Sequence, residues 1–123
     1  MILATPKLNV PPRFRDTAYF DKGENVVVKI PFTGVPKPRI TWSRDGMTVE
    51  SGSHFAVEIK ERHAILTIRD GSKLDSGPYS IVAENDLGMD SAIIKIQISG
   101  KLSLAYIEHT YYFLYSSLNL IPL

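Results

Sequence analysis

The sequence predicts an all-β protein, a sandwich of two antiparallel sheets formed by one domain. Short runs that alternate apolar and polar residues recur at intervals of roughly 8–12 residues, which is typical of strands in a sandwich. No segment shows the repeat near 3.6 residues that indicates an amphipathic helix. Trp42 lies between two apolar positions, Ile30 and Ile81, that we expect to meet in the core. A chain of 123 residues is long enough to bury one such core.

The chain divides into three parts by composition. We predict residues 1–10 to be an N-terminal linker, because Pro6 and the following Pro11 and Pro12 favour an extended, unpaired backbone. Residues 11–99 form the predicted domain, with a first edge strand near Arg13 to Arg15. Residues 100–123 form a tail of different composition. Seven strands are expected in the domain.

The first long strand follows Gly23. One face carries the apolar side chains of Val26, Val28, Ile30 and Phe32, and the other face carries Val27, Lys29 and Pro31. Pro31 cannot donate a ladder hydrogen bond, so we expect it near a strand end or a bulge. After a proline-rich turn, the next strand places Ile40 and Trp42 inward and Arg39 and Thr41 outward.

The following residues predict a hairpin and two further strands. Residues 54–59 and 64–68 alternate and are separated by charged residues, which indicates a hairpin. We expect its apolar side chains to face one another through the core: Phe55, Val57, Ile59, Leu66 and Ile68. The last two strands are expected to bury Tyr79, Ile81, Ala83, Ala92, Ile94, Ile96 and Ile98.

No pattern of reactive side chains indicates an enzyme or a cofactor site. His54, His63 and His109 lie in different elements without the spacing of metal ligands, and the chain has no cysteine. Asp70 and Asp75 lie in a turn-rich segment, where carboxylates usually cap or turn the backbone. We therefore expect no catalytic residue, no metal site and no cofactor.

Charge and cysteine content indicate the class of partner and the compartment. The formal net charge is +1, with 14 basic and 13 acidic residues, so neither nucleic acid nor an anionic membrane surface is an expected partner. The absence of cysteine favours a reducing compartment. The N-terminus lacks the charged and apolar regions of a signal peptide, so secretion is not predicted.

Several motifs in fixed order carry a resemblance to a known family. They are Gly23-Glu24, Val28-x-Ile30, Pro36-x-Pro38-x-Ile40-x-Trp42, Leu66-x-Ile68, Asp75-x-Gly77-x-Tyr79-x-Ile81 and Ala83-x-Asn85-x-x-Gly88. Over about residues 11 to 99 they resemble the intermediate-set immunoglobulin domains of giant muscle proteins. Isoleucine stands at both positions where antibody domains carry the bridging cysteines, which argues against an extracellular protein.

The resemblance also gives structural roles to single residues. Tyr79 lies two residues before Ile81, where a tyrosine corner returns its hydroxyl to the backbone upstream, and Asp75 and Gly77 shape that turn. The expected structural core residues are Ile30, Trp42, Leu66, Asp75, Gly77, Tyr79 and Ile81. No partner-binding residue is assigned from the sequence.

The resemblance implies a non-enzymatic module of a giant sarcomeric filament protein, located in the cytoplasm in the A band. Its implied partners are neighbouring immunoglobulin and fibronectin type III domains, and also myosin or thick-filament-associated proteins. The implied role is filament spacing, mechanical resistance and protein binding. The alternatives are a related myosin-binding or obscurin-like muscle chain and a cell-adhesion immunoglobulin domain.

The tail of residues 100–123 does not continue the family pattern. It is rich in leucine and tyrosine, and its uncharged stretch is too short and too rich in hydroxyl groups for a membrane span of about 20 apolar residues. Two interpretations remain open, an alternative terminal exon or read-through product and a partner-binding segment. We expect this tail to be poorly ordered or prone to association.

Overall fold

The computed structural model describes residues 2–100, which form a sandwich of two sheets. The strands are β1 (Ala4–Leu8), β2 (Ala18–Asp21), β3 (Val26–Val35), β4 (Arg39–Arg44), β5 (Met47–Thr48), β6 (Phe55–Lys60), β7 (His63–Ile68), β8 (Gly77–Asn85) and β9 (Gly88–Ser99). Short 3-10 helices span Pro12–Phe14 and Lys73–Asp75. The four-stranded sheet has the order β1-β3-β7-β6, and the five-stranded sheet has the order β2-β9-β8-β4-β5.

The prediction of a linker over residues 1–10 is wrong for β1. Ala4–Leu8 pairs antiparallel with β3 and buries Pro6 and Leu8. Side chains of the other sheet hold its backbone as well: the amide of Leu8 donates to Asp90 Oδ2 over 2.8 Å, and Asn85 Nδ2 donates to the carbonyl of Ala4 over 3.0 Å. These partners are remote in sequence, so the local proline pattern does not indicate them.

The predicted edge strand near Arg13 to Arg15 is also replaced by another element. Pro12 begins a 3-10 helix, whose first position suits a residue with a fixed φ and no N–H. Phe14 is buried, and the guanidinium of Arg13 lies 4.5 Å from the ring centre of Phe20. The strand follows as β2, which pairs in parallel with β9 from Ala18 opposite Ile96 to Asp21 opposite Ser99.

The predicted hairpin is present as β6 and β7, with Val57 opposite Leu66 and Phe55 opposite Ile68. Ile59 departs from the prediction because its side chain is 41% exposed. Since β6 is the outer strand of its sheet, its distal end has no neighbour on one side and lies beyond the core. Only part of the apolar face of β6 is therefore buried.

The core lies between the sheets and is filled by the inward faces of their strands. The alternating residues of β3 are buried as predicted, from Val26 to Phe32, and β9 buries Ile94, Ile96 and Ile98. Pro31 lies where the pairing of β3 with β7 ends, opposite His63. Within residues 2–100, no helix is long and apolar enough to cross a membrane.

Candidate functional site

The centre of the core is the contact region around Trp42. Trp42 on β4 lies directly opposite Ile81 on β8, while Ile30 belongs to β3 in the other sheet. Trp42 is 3% exposed, and Ile30, Leu66 and Ile81 are fully buried in the same apolar cluster. The indole Nε1 has no hydrogen-bond partner within residues 2–100. The indole therefore contributes chiefly by filling volume between the sheets.

A second group of side chains lies at one end of the sandwich, and we call Arg44, His54, Asp75 and Tyr79 the corner cluster. Tyr79 is completely buried, and its hydroxyl donates to the backbone carbonyl of Asp75 over 2.7 Å. Gly77, between them, has a φ of +138°. A side chain is strained in that conformation, so glycine allows the chain to turn here. This is the geometry of a tyrosine corner.

Asp75 is the one charged residue buried among those described, with 5% of its surface exposed. Its Oδ2 accepts a hydrogen bond of 2.9 Å from the amide of Ser72, which completes a capping box on the 3-10 helix. Its Oδ1 lies 2.8 Å from Nε2 of His54 and 4.0 Å from Arg44. The carboxylate thus connects the segment before β6 with the loop that leads into β8.

Arg44 extends these contacts. Its guanidinium donates to the carbonyls of Leu74 and Ser76, and to the Tyr79 hydroxyl over 3.1 Å. Only 22% of its side chain is exposed. The sequence signal for this role was weak, since Arg44 lies next to a turn and its acceptors are about thirty residues away.

Burial raises the pKa of Tyr79 from 10.0 to about 12. The positive charge of Arg44 acts in the opposite direction, and the negative charge of Asp75 adds to the effect of burial. The neutral phenol is therefore strongly favoured in the folded protein. Because its hydrogen is committed to a backbone carbonyl, the arrangement is suited to holding the turn and offers no free acid or base.

The remaining candidates for chemistry do not come together. His63 Nδ1 lies 2.9 Å from the carbonyl of Glu61 in the β6–β7 turn, and Asp70 occupies another turn with a φ of +50°. Within residues 2–100, no three histidine or acidic side chains form a group able to hold a metal ion. His109 lies outside the described residues.

A comparison with family models matches residues 12–98 to the immunoglobulin I-set domain. The chain belongs to the immunoglobulin I-set family. The expected fold class and the resemblance are thereby confirmed, including the all-β sandwich without a disulfide, since the sequence has no cysteine. I-set domains of this kind are structural modules without enzymatic activity.

Similar proteins include large muscle proteins. Cardiac-type myosin-binding protein C of Gallus gallus is 34% identical over 100 residues, which is 81% of this chain and 8% of that protein. The titin homolog of Caenorhabditis elegans is 30% identical over 97 residues, which is 78% of this chain and 0% of that protein to the nearest per cent. The chain thus spans less than a tenth of either relative.

Among solved structures, titin domains A168-A170 superpose on the I-set chain with a TM-score of 0.77 at 24% identity. The superposition covers 80% of this chain and 35% of that one. This likeness shows the fold alone. The family and its structural role therefore rest on the sequence match, and the arrangement of the strands agrees with it.

Proposed function

We propose that this chain is a structural and protein-interaction module of a giant sarcomeric filament protein, contributing filament spacing and resistance to extension. The observation that carries the proposal is the parallel pairing of β2 with β9. β2 lies near the start of the folded region and β9 at its end, while β1 pairs with the opposite sheet. The residues described from Ala4 to Ser99 act as one unit in this proposal, and residues 100–123 are accessory to it.

Parallel pairing of terminal strands determines how a stretching force acts on their hydrogen bonds. A pull on the N-terminal side draws β2 towards its own start, and a pull on the C-terminal side draws β9 towards its own end. Since the strands run in the same direction, the two forces slide them past each other. Hydrogen bonds between them then carry the load together instead of opening one at a time. Resistance to extension follows from this geometry.

Lys22 offers a sharp test, because it adds one bond to the pairing just beyond β2. Its amide donates to the carbonyl of Ser99 over 2.8 Å. The amide of Glu24 bonds back to the carbonyl of Asp21, and Gly23 has a φ of +89°. Lys22 thus occupies the second position of a turn in which proline is favoured. Lys22→Pro should therefore remove this amide donor without straining the turn.

We expect Lys22→Pro to unfold roughly two- to twelvefold faster than Lys22→Ala at equal force, because one hydrogen bond contributes roughly 0.5–1.5 kcal/mol. Single-molecule extension of the two variants measures this difference. Lys22→Ala is the matched control, since it removes the same exposed side chain and keeps the amide. Equal force distributions for the two variants would contradict a mechanical role for the β2–β9 pairing.

The proposed partners are neighbouring immunoglobulin and fibronectin type III domains of the parent chain, and myosin or thick-filament-associated proteins. Similarity to a myosin-binding protein supports the second group. A location in the A band of the sarcomere would follow from such contacts. In co-sedimentation with purified myosin filaments we expect the folded chain to pellet with the filaments. If the chain is recovered only in the supernatant when its concentration is well above that of the myosin filaments, this result would count against myosin as a partner.

A further inference from the structure

β6 is the outer strand of the four-stranded sheet, so one side of its backbone has no neighbouring strand among residues 2–100. At Val57 both backbone groups on that side are nevertheless bonded to the side chain of Ser51. The amide of Val57 donates to Ser51 Oγ over 3.0 Å, and Ser51 Oγ donates to the carbonyl of Val57 over 3.2 Å. The Ser51 hydroxyl thus serves as both the acceptor and the donor that a residue of an added strand would provide to Val57.

The alternating direction of backbone groups in a strand shows which other residues of β6 face the free edge. In an antiparallel ladder, successive residues direct their backbone groups to opposite sides. Since Val57 points away from β7, Phe55 and Ile59 point away as well, and the carbonyl of Phe55 accepts a bond of 2.8 Å from the amide of Gly52. The segment at residues 51–52 therefore covers the first half of the free edge. The backbone of Ile59 has no such cover from residues 2–100.

We propose that the free edge of β6 is an interaction surface for a second copy of this chain, and that Ser51 keeps it closed. An exposed edge pairs readily with another strand unless something blocks it. Here the block is small and exposed, because it consists of a short loop segment with three hydrogen bonds, two of them made by the Ser51 hydroxyl. Loss of the Ser51 hydroxyl leaves the backbone of Val57 open to a strand from another molecule.

The sequence of β6 is compatible with pairing to itself around a two-fold axis at Val57. In that antiparallel register, Phe55 faces Ile59 of the second copy and Val57 faces its own equivalent. Glu58 then faces Ala56, and Lys60 faces His54, whose imidazole is already bonded to Asp75. No formal charge meets a like charge, so the pairing avoids the repulsion that like charges opposite each other produce. This register overlaps β6 with itself from Phe55 to Ile59.

The first test compares Ser51→Ala with Ser53→Ala in the full-length chain by sedimentation velocity over a range of concentrations. Ser53 is the matched control, because it lies in the same exposed loop and its side chain has no hydrogen bond within residues 2–100. We expect Ser51→Ala to self-associate at least tenfold more tightly than Ser53→Ala, since two of the three hydrogen bonds that cover this edge are already absent in each copy. Equal sedimentation of the two variants would overturn the proposal.

A second test determines the register of the pairing. Because the chain has no cysteine, every disulfide must form between cysteines that are introduced. Ala56→Cys and Glu58→Cys are introduced separately on the Ser51→Ala background, and the two proteins are mixed and oxidised. Residues directly opposite in such a pair lie about 4.5–5.5 Å apart, within the range of a disulfide. We expect mixed disulfides to exceed both homodimeric products. A predominance of homodimeric disulfides, or none, would overturn pairing around Val57 even if Ser51→Ala associates.

Discussion

Replacing Trp42 with alanine is expected to lower the free energy of unfolding by about 3–5 kcal/mol, as for other large buried aromatic residues. Trp42 is 3% exposed and lies opposite Ile81 of β8, the central strand of the five-stranded sheet. Truncation leaves a cavity between the sheets, where surrounding strands are paired on both sides and relax little. The loss therefore includes both apolar burial and the cavity that remains.

Trp42→Phe separates the volume of this side chain from its polar group. The indole N–H has no acceptor within residues 2–100, so phenylalanine removes no hydrogen bond there. We expect a clearly smaller loss for phenylalanine than for alanine. Urea unfolding followed by circular dichroism measures both variants, because Trp42 is the only tryptophan and its fluorescence disappears with it. A loss below 1 kcal/mol for alanine, by the mutational scale used above, would show that Trp42 does not support the core.

Tyr79 is expected to make stability fall at alkaline pH. Its pKa is raised to about 12 in the folded protein, against 10.0 for the unperturbed side chain. Between these values the folded state holds a proton that the unfolded state releases. The stabilisation is therefore complete below pH 10 and is lost as the pH rises through 12. Two pKa units correspond to roughly 2–3 kcal/mol.

Tyr79→Phe isolates this contribution from the other groups that titrate in the same range. The variant loses the hydrogen bond to the carbonyl of Asp75, so we expect it to be about 1–3 kcal/mol less stable at pH 8. As the pH rises from 10 towards 12, wild-type stability should approach that of the variant. Urea unfolding at several pH values measures the difference. A difference that stays constant or widens would contradict the burial of a neutral Tyr79 phenol.

Local pattern predicted the long central strands well. In β3, β8 and β9 one face is covered by the opposite sheet, so alternation in the sequence corresponds directly to alternation in burial. The hairpin of β6 and β7 followed from its turn and its two alternating runs. The resemblance and the position of Tyr79 two residues before Ile81 led us to expect a tyrosine corner, and in the structure the Tyr79 hydroxyl donates to the carbonyl of Asp75.

The edges of the sheets were predicted poorly. β1 carries Pro6 and an exposed face, and its pairing depends on β3 and on Asp90, which lies far along the chain. β5 has only two residues, both exposed, so it has no pattern to detect. At an edge, burial is incomplete and hydrogen bonds go to distant partners. Sequence alternation therefore weakens where the sheet ends.

The corner cluster shows the same limit for polar side chains. Asp75 and Tyr79 are close in sequence and were expected to shape one turn, whereas no sequence pattern connected Arg44 or His54 with them. In the folded chain, Oδ1 of Asp75 lies 4.0 Å from the guanidinium of Arg44 and 2.8 Å from Nε2 of His54. Charge and residue type alone do not indicate such contacts, because the same arginine or histidine is equally suited to solvent.

By itself the sequence determined the fold class, the family, the inward faces of the central strands and the absence of a disulfide, because these depend on periodicity, motif order and composition. The tertiary structure decided which strands close the edges, that β2 runs parallel to β9, and that Ser51 covers β6. Those features depend on backbone hydrogen bonds between segments far apart in the chain. Backbone groups are the same in every residue except proline, so such pairing leaves little trace in the amino-acid sequence.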